Sequence, residues 1–130
     1  MKYLLLLSIF IFSLNSYSET PEIEAKESRY MAFLEKMKDH SKIAYESFQQ
    51  KNIIKGCYSE GFVIALADGL LQEHMEKNNL TENQLEIVME VFYSAYEVSP
   101  FCEGQNSDLN EMVALSLSIK ELLSSASDTL

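Results

Sequence analysis

The chain has 130 residues, which suits one domain, and a formal net charge of −10 at pH 7. The negative charge is concentrated in residues 57–130, which contain thirteen acidic residues and two lysines, whereas acidic and basic residues balance in 19–56. Because nucleic-acid phosphates would be repelled, this distribution argues against nucleic-acid binding and fits a basic protein partner. The alternative is an acidic surface that only keeps the protein in solution.

The first eighteen residues have the three parts of a cleavable export signal. Lys2 gives a positive start, residues 3–14 are apolar apart from two serines, and small residues precede a cleavage point after Ser18. A helix of twelve residues is about 18 Å long, too short for the roughly 30 Å hydrocarbon core of a bilayer. We therefore expect a mature chain of residues 19–130, a single helical domain in the periplasm or outside the cell, without stable membrane insertion.

Two helices are predicted in the first half of the mature chain. The first spans about 24–51, because apolar side chains recur at three- and four-residue steps between Tyr30 and Phe48. Its aromatic-rich stripe suits either a packed core or a partner-binding face. The second helix spans about 57–77, and its residues 62–67 are apolar on all sides, which is typical of a buried central helix.

The third helix has the clearest start signal in the chain. Thr81-Glu82-Asn83-Gln84 is a capping box, in which the threonine side chain accepts from the amide of Gln84 while the Gln84 side chain reaches back. The apolar stripe that follows predicts a helix over about 82–97, which Pro100 terminates.

A last helix is predicted over about 108–124, after a loop at 101–107, and the serine-rich end at 124–130 is expected to fray. Four helices with short connections predict an all-α fold, a small four-helix bundle. The two cysteines, Cys57 and Cys102, form an even pair, which in an exported chain is more often bridged than free. With no histidine near them they make a poor metal site, and we expect no metal and no cofactor.

Asp68 is the first candidate for a binding residue, because it lies in the apolar part of the second helix, where a carboxylate needs a partner or must take up a proton. The alternative is a helix face that reaches solvent there, or a structural hydrogen bond. The other binding candidates lie in the acidic half around the predicted disulfide: Tyr96, Phe101, Glu103 and Asp108.

Aromatic residues beside carboxylates suit a protein interface, although they are also ordinary core residues. The aromatic residues of this region are Tyr58, Phe62, Tyr93, Tyr96 and Phe101. No catalytic pattern accompanies them: His40 and His74 lie in different predicted helices, and no serine lies in a Gly-x-Ser-x-Gly turn. We expect the protein not to be an enzyme.

Part of the chain resembles the Rap/Tai-type immunity proteins of type VI secretion systems. The resemblance rests on Cys57, on Gly61-Phe62 and Asp68 at the family's spacing, and on Thr81-Glu82-Asn83-Gln84-Leu85. Ala65 replaces the family's second glycine, Cys57 is two residues too far from Gly61, and the terminal Phe-Pro-Cys is missing. The resemblance covers about half of the chain and implies a periplasmic protein that binds and inhibits a secreted toxin, such as a cell-wall amidase.

A second resemblance is to the HdeA-type periplasmic acid-stress chaperones, which also carry two cysteines. Phe101-Cys102-Glu103 followed by the last helix is similar to the end of those proteins, but the long first helix and the missing lysine-rich finish depart from them. This resemblance implies a domain that loosens below about pH 3, where its carboxylates are protonated, and then suppresses the aggregation of clients. An accessory protein of a secretion apparatus is a third alternative.

Overall fold

The computed structural model describes residues 20–128, so the predicted signal peptide lies outside the described residues. This part of the chain is helical and contains no strand, which confirms the all-α prediction. The helices are α1 (Thr20–Gln49), α2 (Ile53–Lys77), α3 (Glu82–Tyr96), the single-turn α4 (Ser99–Cys102) and α5 (Leu109–Asp128). None of these helices has an apolar stretch long enough to cross a bilayer.

The chain divides into two compact units, residues 1–30 and 31–130. Of the first unit the structure describes the opening turns of α1, residues 20–30. The second unit contains the rest of α1 and the other helices. All packing described below belongs to this second unit.

Helices α1 and α2 run antiparallel. The ring of Phe48, near the end of α1, packs on Gly56 in the first turn of α2, and Phe33 packs on Gly69 farther along. Lys51 reverses the chain between the two helices with a left-handed backbone (φ 63°). Asn52 then starts α2, because its side-chain oxygen accepts a hydrogen bond from the Lys55 amide at 3.3 Å.

The capping box at the start of α3 is confirmed. The Gln84 amide donates to Thr81 Oγ1 at 3.1 Å, and the Thr81 amide donates to Gln84 Oε1 at 3.0 Å. Asn78 ends α2 in the left-handed conformation (φ 49°), a position that asparagine tolerates better than most residues. The connection between α2 and α3 is therefore four residues long, and the two helices pack side by side.

The region after α3 differs from its prediction. Pro100 lies in the first turn of α4, where proline costs no backbone hydrogen bond, so part of the expected loop is helical. The loop that follows turns at Gly104, whose φ of +77° favours glycine. The Asp108 side chain accepts from the Glu111 amide at 3.2 Å and starts α5.

Helix α5 is longer than predicted, and the expected fraying from residue 124 is wrong for the described part of that segment. The helix continues to Asp128, and its last turn contacts α1. Ala126 is 5% exposed, and the Ser127 hydroxyl donates to Glu35 Oε1 at 3.1 Å. Composition alone does not show this tertiary contact.

Each long helix contributes one stripe to a shared core, as expected of a four-helix bundle. The fully buried side chains of this core include Leu34, Met37, Phe48, Val63, Leu70, Val88, Val91, Val98, Ile119 and Leu123. The predicted complete burial of α2 is wrong, because the helix lends only one side to the core. Ile54 is 86% exposed, and Tyr58 and Met75 are also strongly exposed.

The predicted disulfide is confirmed. Cys57, near the start of α2, is bonded to Cys102 at the end of α4, and their Cα atoms are 5.7 Å apart. The bond fixes the corner after α3 to the beginning of α2. It thereby positions the cavity described next.

Candidate functional site

A carboxyl group is buried in the centre of the bundle. Glu60, on the core face of α2, is 1% exposed. The Ser116 hydroxyl of α5 donates to its Oε2 at 3.4 Å, whereas its Oε1 has no hydrogen-bond partner among the described residues. Desolvation by burial raises the pKa of Glu60 to about 8, and the Ser116 hydrogen bond opposes this only in part. Glu60 is therefore mostly protonated at pH 7.

Glu60 lines a cavity of about 190 Å³ beside the disulfide. From α2 the lining comes from Cys57, Glu60, Gly61 and Ile64, a spacing that puts them on one helix face. The opposite wall consists of Ala95, Val98, Ser99, Cys102 and Glu103.

The cavity runs from an exposed rim to a buried floor. Gly61, Cys102 and Glu103 are exposed, whereas Glu60 and Val98 are buried. The lining combines apolar side chains and the disulfide with two acidic residues, the exposed Glu103 and the buried Glu60.

Local backbone bonds form the wall that faces α2. The amides of Phe101 and Cys102 both donate to the Val98 carbonyl, at 3.1 and 3.3 Å. These bonds wind α4 into its single turn and return Cys102 to Cys57. The disulfide therefore holds the cavity as well as the fold.

A second cavity, of about 360 Å³, lies between the α1–α2 turn and the α4–α5 loop. Its lining is Lys51, Ile53, Phe101, Gly104, Asn106, Ser107, Leu109 and Met112. The predicted binding residue Phe101 is buried in this lining, so it belongs to the packed interior rather than to an exposed interface.

Aromatic side chains are exposed on two helices. On α2 the Phe62 ring stacks on His40, with centroids 4.6 Å apart, and Tyr58 meets its edge at 5.0 Å. On α3, Tyr93 is 61% exposed and Tyr96 is 55% exposed, and Phe92 contacts both rings. Of the five aromatic residues singled out in the sequence, Phe101 alone is a core residue.

The exposed side of α3 combines large side chains with carboxylates at helical spacing. We call it the tyrosine face, and it consists of Met89, Tyr93 and Tyr96 with Glu86, Glu90 and Glu97, all exposed. The predicted binding residue Tyr96 lies on it. The buried residues of α3 are Val88, Val91 and Ala95, so Met89 and Tyr96 lie outside the core.

The predicted binding residues are not all brought together. Glu103 lines the Glu60 cavity beside the disulfide, whereas four other candidates do not line it: Asp68, Tyr96, Phe101 and Asp108. Asp68 is half-buried and accepts a hydrogen bond from Gln72 Nε2 at 2.9 Å, so its helix face reaches solvent. Asp108 is an exposed capping residue of α5.

Glu60 is the buried carboxyl group that sequence reasoning missed. The signal was its register in α2. Five residues at three- and four-residue steps are all buried: Gly56, Glu60, Val63, Ala67 and Leu70. A polar residue within such a stripe is buried with it. The apolar residues around Asp68 indicated that carboxylate as the candidate instead of Glu60.

The two histidines have structural positions. His74 Nδ1 accepts a hydrogen bond from the Leu80 amide at 3.0 Å and so closes the end of α2, and His40 stacks on Phe62. Across residues 20–128 no group of three or more side chains is arranged to hold a metal ion.

No protein-family model, no curated protein and no solved structure matches this chain. The resemblances to immunity proteins and to acid-stress chaperones therefore stay predictions from the sequence.

Proposed function

We propose that this protein is exported to the periplasm and acts there as a non-enzymatic binding protein, similar to an immunity protein that inhibits a secreted toxin. The tyrosine face of α3 is the surface that would contact the partner. The observation that carries the proposal is the exposure of Tyr93 and Tyr96 among exposed carboxylates.

Exposed tyrosines favour a protein interface because of their size and rigidity. A tyrosine side chain buries a large area on binding, loses few rotamers and can still form a hydrogen bond through its hydroxyl. A solvated surface that serves only solubility does not need Tyr93 and Tyr96 to stand outside the core.

The charge of the region supports a basic partner. Residues 57–130 carry a formal charge of −11, which protonation of the buried Glu60 brings close to −10 at pH 7. The acidic residues of the tyrosine face are exposed. A field of one sign speeds the approach of an oppositely charged partner and opposes acidic ones.

The buried Glu60 argues against the acid-stress chaperone. A chaperone of that type must loosen as the pH falls. Since its pKa is raised to about 8, the protonated Glu60 stabilises the folded state most at low pH. Ionisation of this residue therefore supplies no acid trigger for loosening, since it is protonated in the folded state well above pH 3.

Binding to the product of the neighbouring gene tests the proposal. We expect a complex by titration calorimetry, weaker at 0.5 M salt because screening reduces the attraction, and protection of cells that produce that protein in the periplasm. The double variant Tyr93→Ser/Tyr96→Ser should weaken binding at least tenfold, since each interfacial tyrosine is worth about 1 kcal/mol or more.

The control is Met75→Ser, which removes another exposed large side chain, outside α3. It should bind as the unaltered protein does. No complex together with no protection of cells would reject the proposed function, and equal losses in both variants would reject the tyrosine face as the contact surface.

A further inference from the structure

The outward side of α2 carries a second stripe of regularly spaced residues. Seven exposed residues follow one another at three- and four-residue steps: Ile54, Tyr58, Phe62, Ala65, Gly69, Gln72 and Glu76. We call this stripe the outer face of α2. Its spacing is that of the seam between two paired helices, and it lies on the side of α2 opposite the buried stripe that contains Val63. Helix α2 therefore has one side in the core of its own chain and one side that the described residues leave uncovered.

The middle of this outer face carries no charge. The exposed charged residues of α2 lie at its two ends, with Lys55 in the first turn and Glu76 and Lys77 in the last. Between them every exposed residue of the helix is uncharged, and the acidic Asp68 and Glu73 are half-buried. A surface helix usually has charged and polar residues on its outer side, and an apolar outer side is typical of a helix that is covered.

Aromatic packing fixes the first half of the outer face in place. The Phe62 ring stacks on His40 of α1, with centroids 4.6 Å apart, and the Tyr58 ring meets the edge of Phe62 at 5.0 Å. Tyr58 is nevertheless 70% exposed, and Ile54 extends the apolar surface by one further turn. Side chains that are already ordered lose little entropy when a partner covers them, so this surface is suited to binding.

The order of residues along the outer face fits a second copy of the same face in antiparallel orientation. A two-fold axis at Ala65 places Phe62 of each copy against Gly69 of the other, so that a ring meets a position without a side chain. The same axis places Tyr58 against Gln72. Large side chains occupy the first half of the stripe and small or flexible ones the second, and such a stripe is complementary to itself when it is reversed.

The charges at the two ends of the face favour the same orientation. Lys55 and Glu76 are 21 positions apart, about 32 Å along the helix, and reversal brings each lysine near the glutamate of the other copy. Parallel pairing would oppose lysine to lysine and glutamate to glutamate, which is unfavourable. The tyrosine face of α3, with three exposed glutamates, would repel its own copy, whereas the outer face of α2 lets two acidic chains approach.

We propose that two copies of this protein associate through the outer face of α2, as an antiparallel helix pair with its two-fold axis at Ala65. The apolar residues 62–67, which one chain leaves partly exposed, are then covered from both sides. A contact of one helix pair lies at the small end of specific interfaces, about 1,200 Å², so we expect a dissociation constant of about 10–100 µM. This contact does not depend on the proposed function, which uses α3.

Sedimentation velocity tests the association directly. The experiment uses the protein as the cell processes it, with its disulfide formed, at concentrations from about 1 µM to about 1 mM. We expect the mass to rise from that of one chain to that of two and no further, because a two-fold contact closes on itself. A single chain at every concentration, or growth beyond two chains, would overturn the proposal.

A charge at the axis should prevent the association. Ala65→Glu brings two carboxylates together where Ala65 of one copy meets Ala65 of the other, and we expect at least tenfold weaker dimerisation. The single chain should fold normally, since Ala65 is exposed and glutamate is a good helix former. The control Tyr93→Ser/Tyr96→Ser alters the other exposed aromatic surface and should dimerise as the unaltered protein does. Equal dimerisation by Ala65→Glu would reject this face.

A charge exchange tests the orientation. Lys55→Glu and Glu76→Lys should each weaken the dimer about tenfold, because each replaces an attraction by a repulsion at both ends of the contact. The double variant Lys55→Glu/Glu76→Lys should recover the unaltered affinity. Parallel pairing predicts no loss in the single variants, since like charges already face each other there. Single variants without loss, or a double variant without recovery, would contradict the antiparallel pair.

Cross-linking locates the axis. In Ala65→Cys the two new thiols meet on the axis, so mild oxidation at about 1 mM protein should join two chains, whereas the control Glu90→Cys on the tyrosine face should stay single. Equal cross-linking of both variants would reject the axis. A protein that stays a single chain but binds anionic phospholipid vesicles, with binding lost in Ala65→Glu, would assign the outer face to a lipid surface and overturn the dimer.

Discussion

Glu60 and Ser116 meet across the bundle, from α2 and α5, in a core whose other buried polar side chains are the serines Ser41, Ser47 and Ser59. One long hydrogen bond compensates only part of the cost of burying a carboxyl group, so the group keeps its proton to a higher pH than an exposed glutamate does. This residue therefore links the stability of the core to pH. A core made of aliphatic side chains alone would have no such link.

The stability of the protein should fall as the pH rises from about 4.5 to about 8. The pKa of Glu60 is raised from 4.5 to about 8, so the folded state holds this proton more tightly than the unfolded state does. The stabilisation is complete below pH 4.5 and is lost as the pH rises through 8. At about 1.4 kcal/mol per pH unit, the loss is at most about 5 kcal/mol.

Urea unfolding followed by circular dichroism at pH 5, 7 and 9 measures this loss. Glu60→Gln cannot ionise, so its stability should vary much less over this range, whereas the exposed Glu76→Gln should follow the unaltered protein. Parallel curves for Glu60→Gln and the unaltered protein would contradict the assignment of the pH dependence to Glu60.

Two glycines of α2 should respond oppositely to alanine. A methyl group at Gly56 would overlap the ring of Phe48, which is fully buried, so Gly56→Ala should cost about 1–3 kcal/mol in the free energy of unfolding. Gly61 has open space at the same position, and Gly61→Ala should stabilise by about 0.5–1 kcal/mol because alanine favours helix. Thermal unfolding of both variants checks the sign of each change in stability. Destabilisation by both would show that the helix backbone, rather than the Phe48 contact, determines that change.

At the scale of the helices, a helix end fixed by local hydrogen bonds was predictable from the sequence, whereas one fixed by tertiary contacts was not. The start of α3 was predictable because Thr81 and Gln84 satisfy each other's backbone without help from the rest of the molecule. The end of α5 was not, because Ser127 and Ala126 hold it through contacts with distant residues. Serine-rich composition predicted fraying that these contacts prevent.

The capping box should contribute measurably to stability. Thr81→Ala removes the acceptor of the Gln84 amide and should lower the free energy of unfolding by about 1 kcal/mol. Gln84→Ala removes the reciprocal bond to the Thr81 amide and should cost less, because that amide is exposed to water. Unfolding of the two single variants and of the double variant measures the coupling, and strictly additive losses would contradict a cooperative box.

At the scale of the whole molecule, the sequence predicted the helices and the disulfide but not which sides of the helices face solvent. Periodicity alone fits several rotations of a helix such as α2, whose residues 62–67 are apolar all round. The packing determines the rotation of α2, in which Val63 and Ala67 are buried and Phe62 is exposed. The site was missed for the same reason, since the rotation that buries Val63 also buries Glu60 and leaves Asp68 near solvent.

The disulfide should carry a large share of the stability. It joins residues 45 apart in the sequence, and the chain-entropy model assigns about 4 kcal/mol to closing a loop of that length. The double variant Cys57→Ser/Cys102→Ser should therefore melt more than ten degrees lower, since 1 kcal/mol shifts the melting temperature of a domain of this size by roughly 4–8 °C.

Calorimetry with and without a reducing agent checks the effect. Reduction should lower the melting temperature of the unaltered protein by a similar amount and leave the double variant unchanged, which separates the bond from other effects of the reductant. A melting temperature that does not change on reduction would mean that packing of α4 against α2 suffices to hold the corner, and with it the cavity.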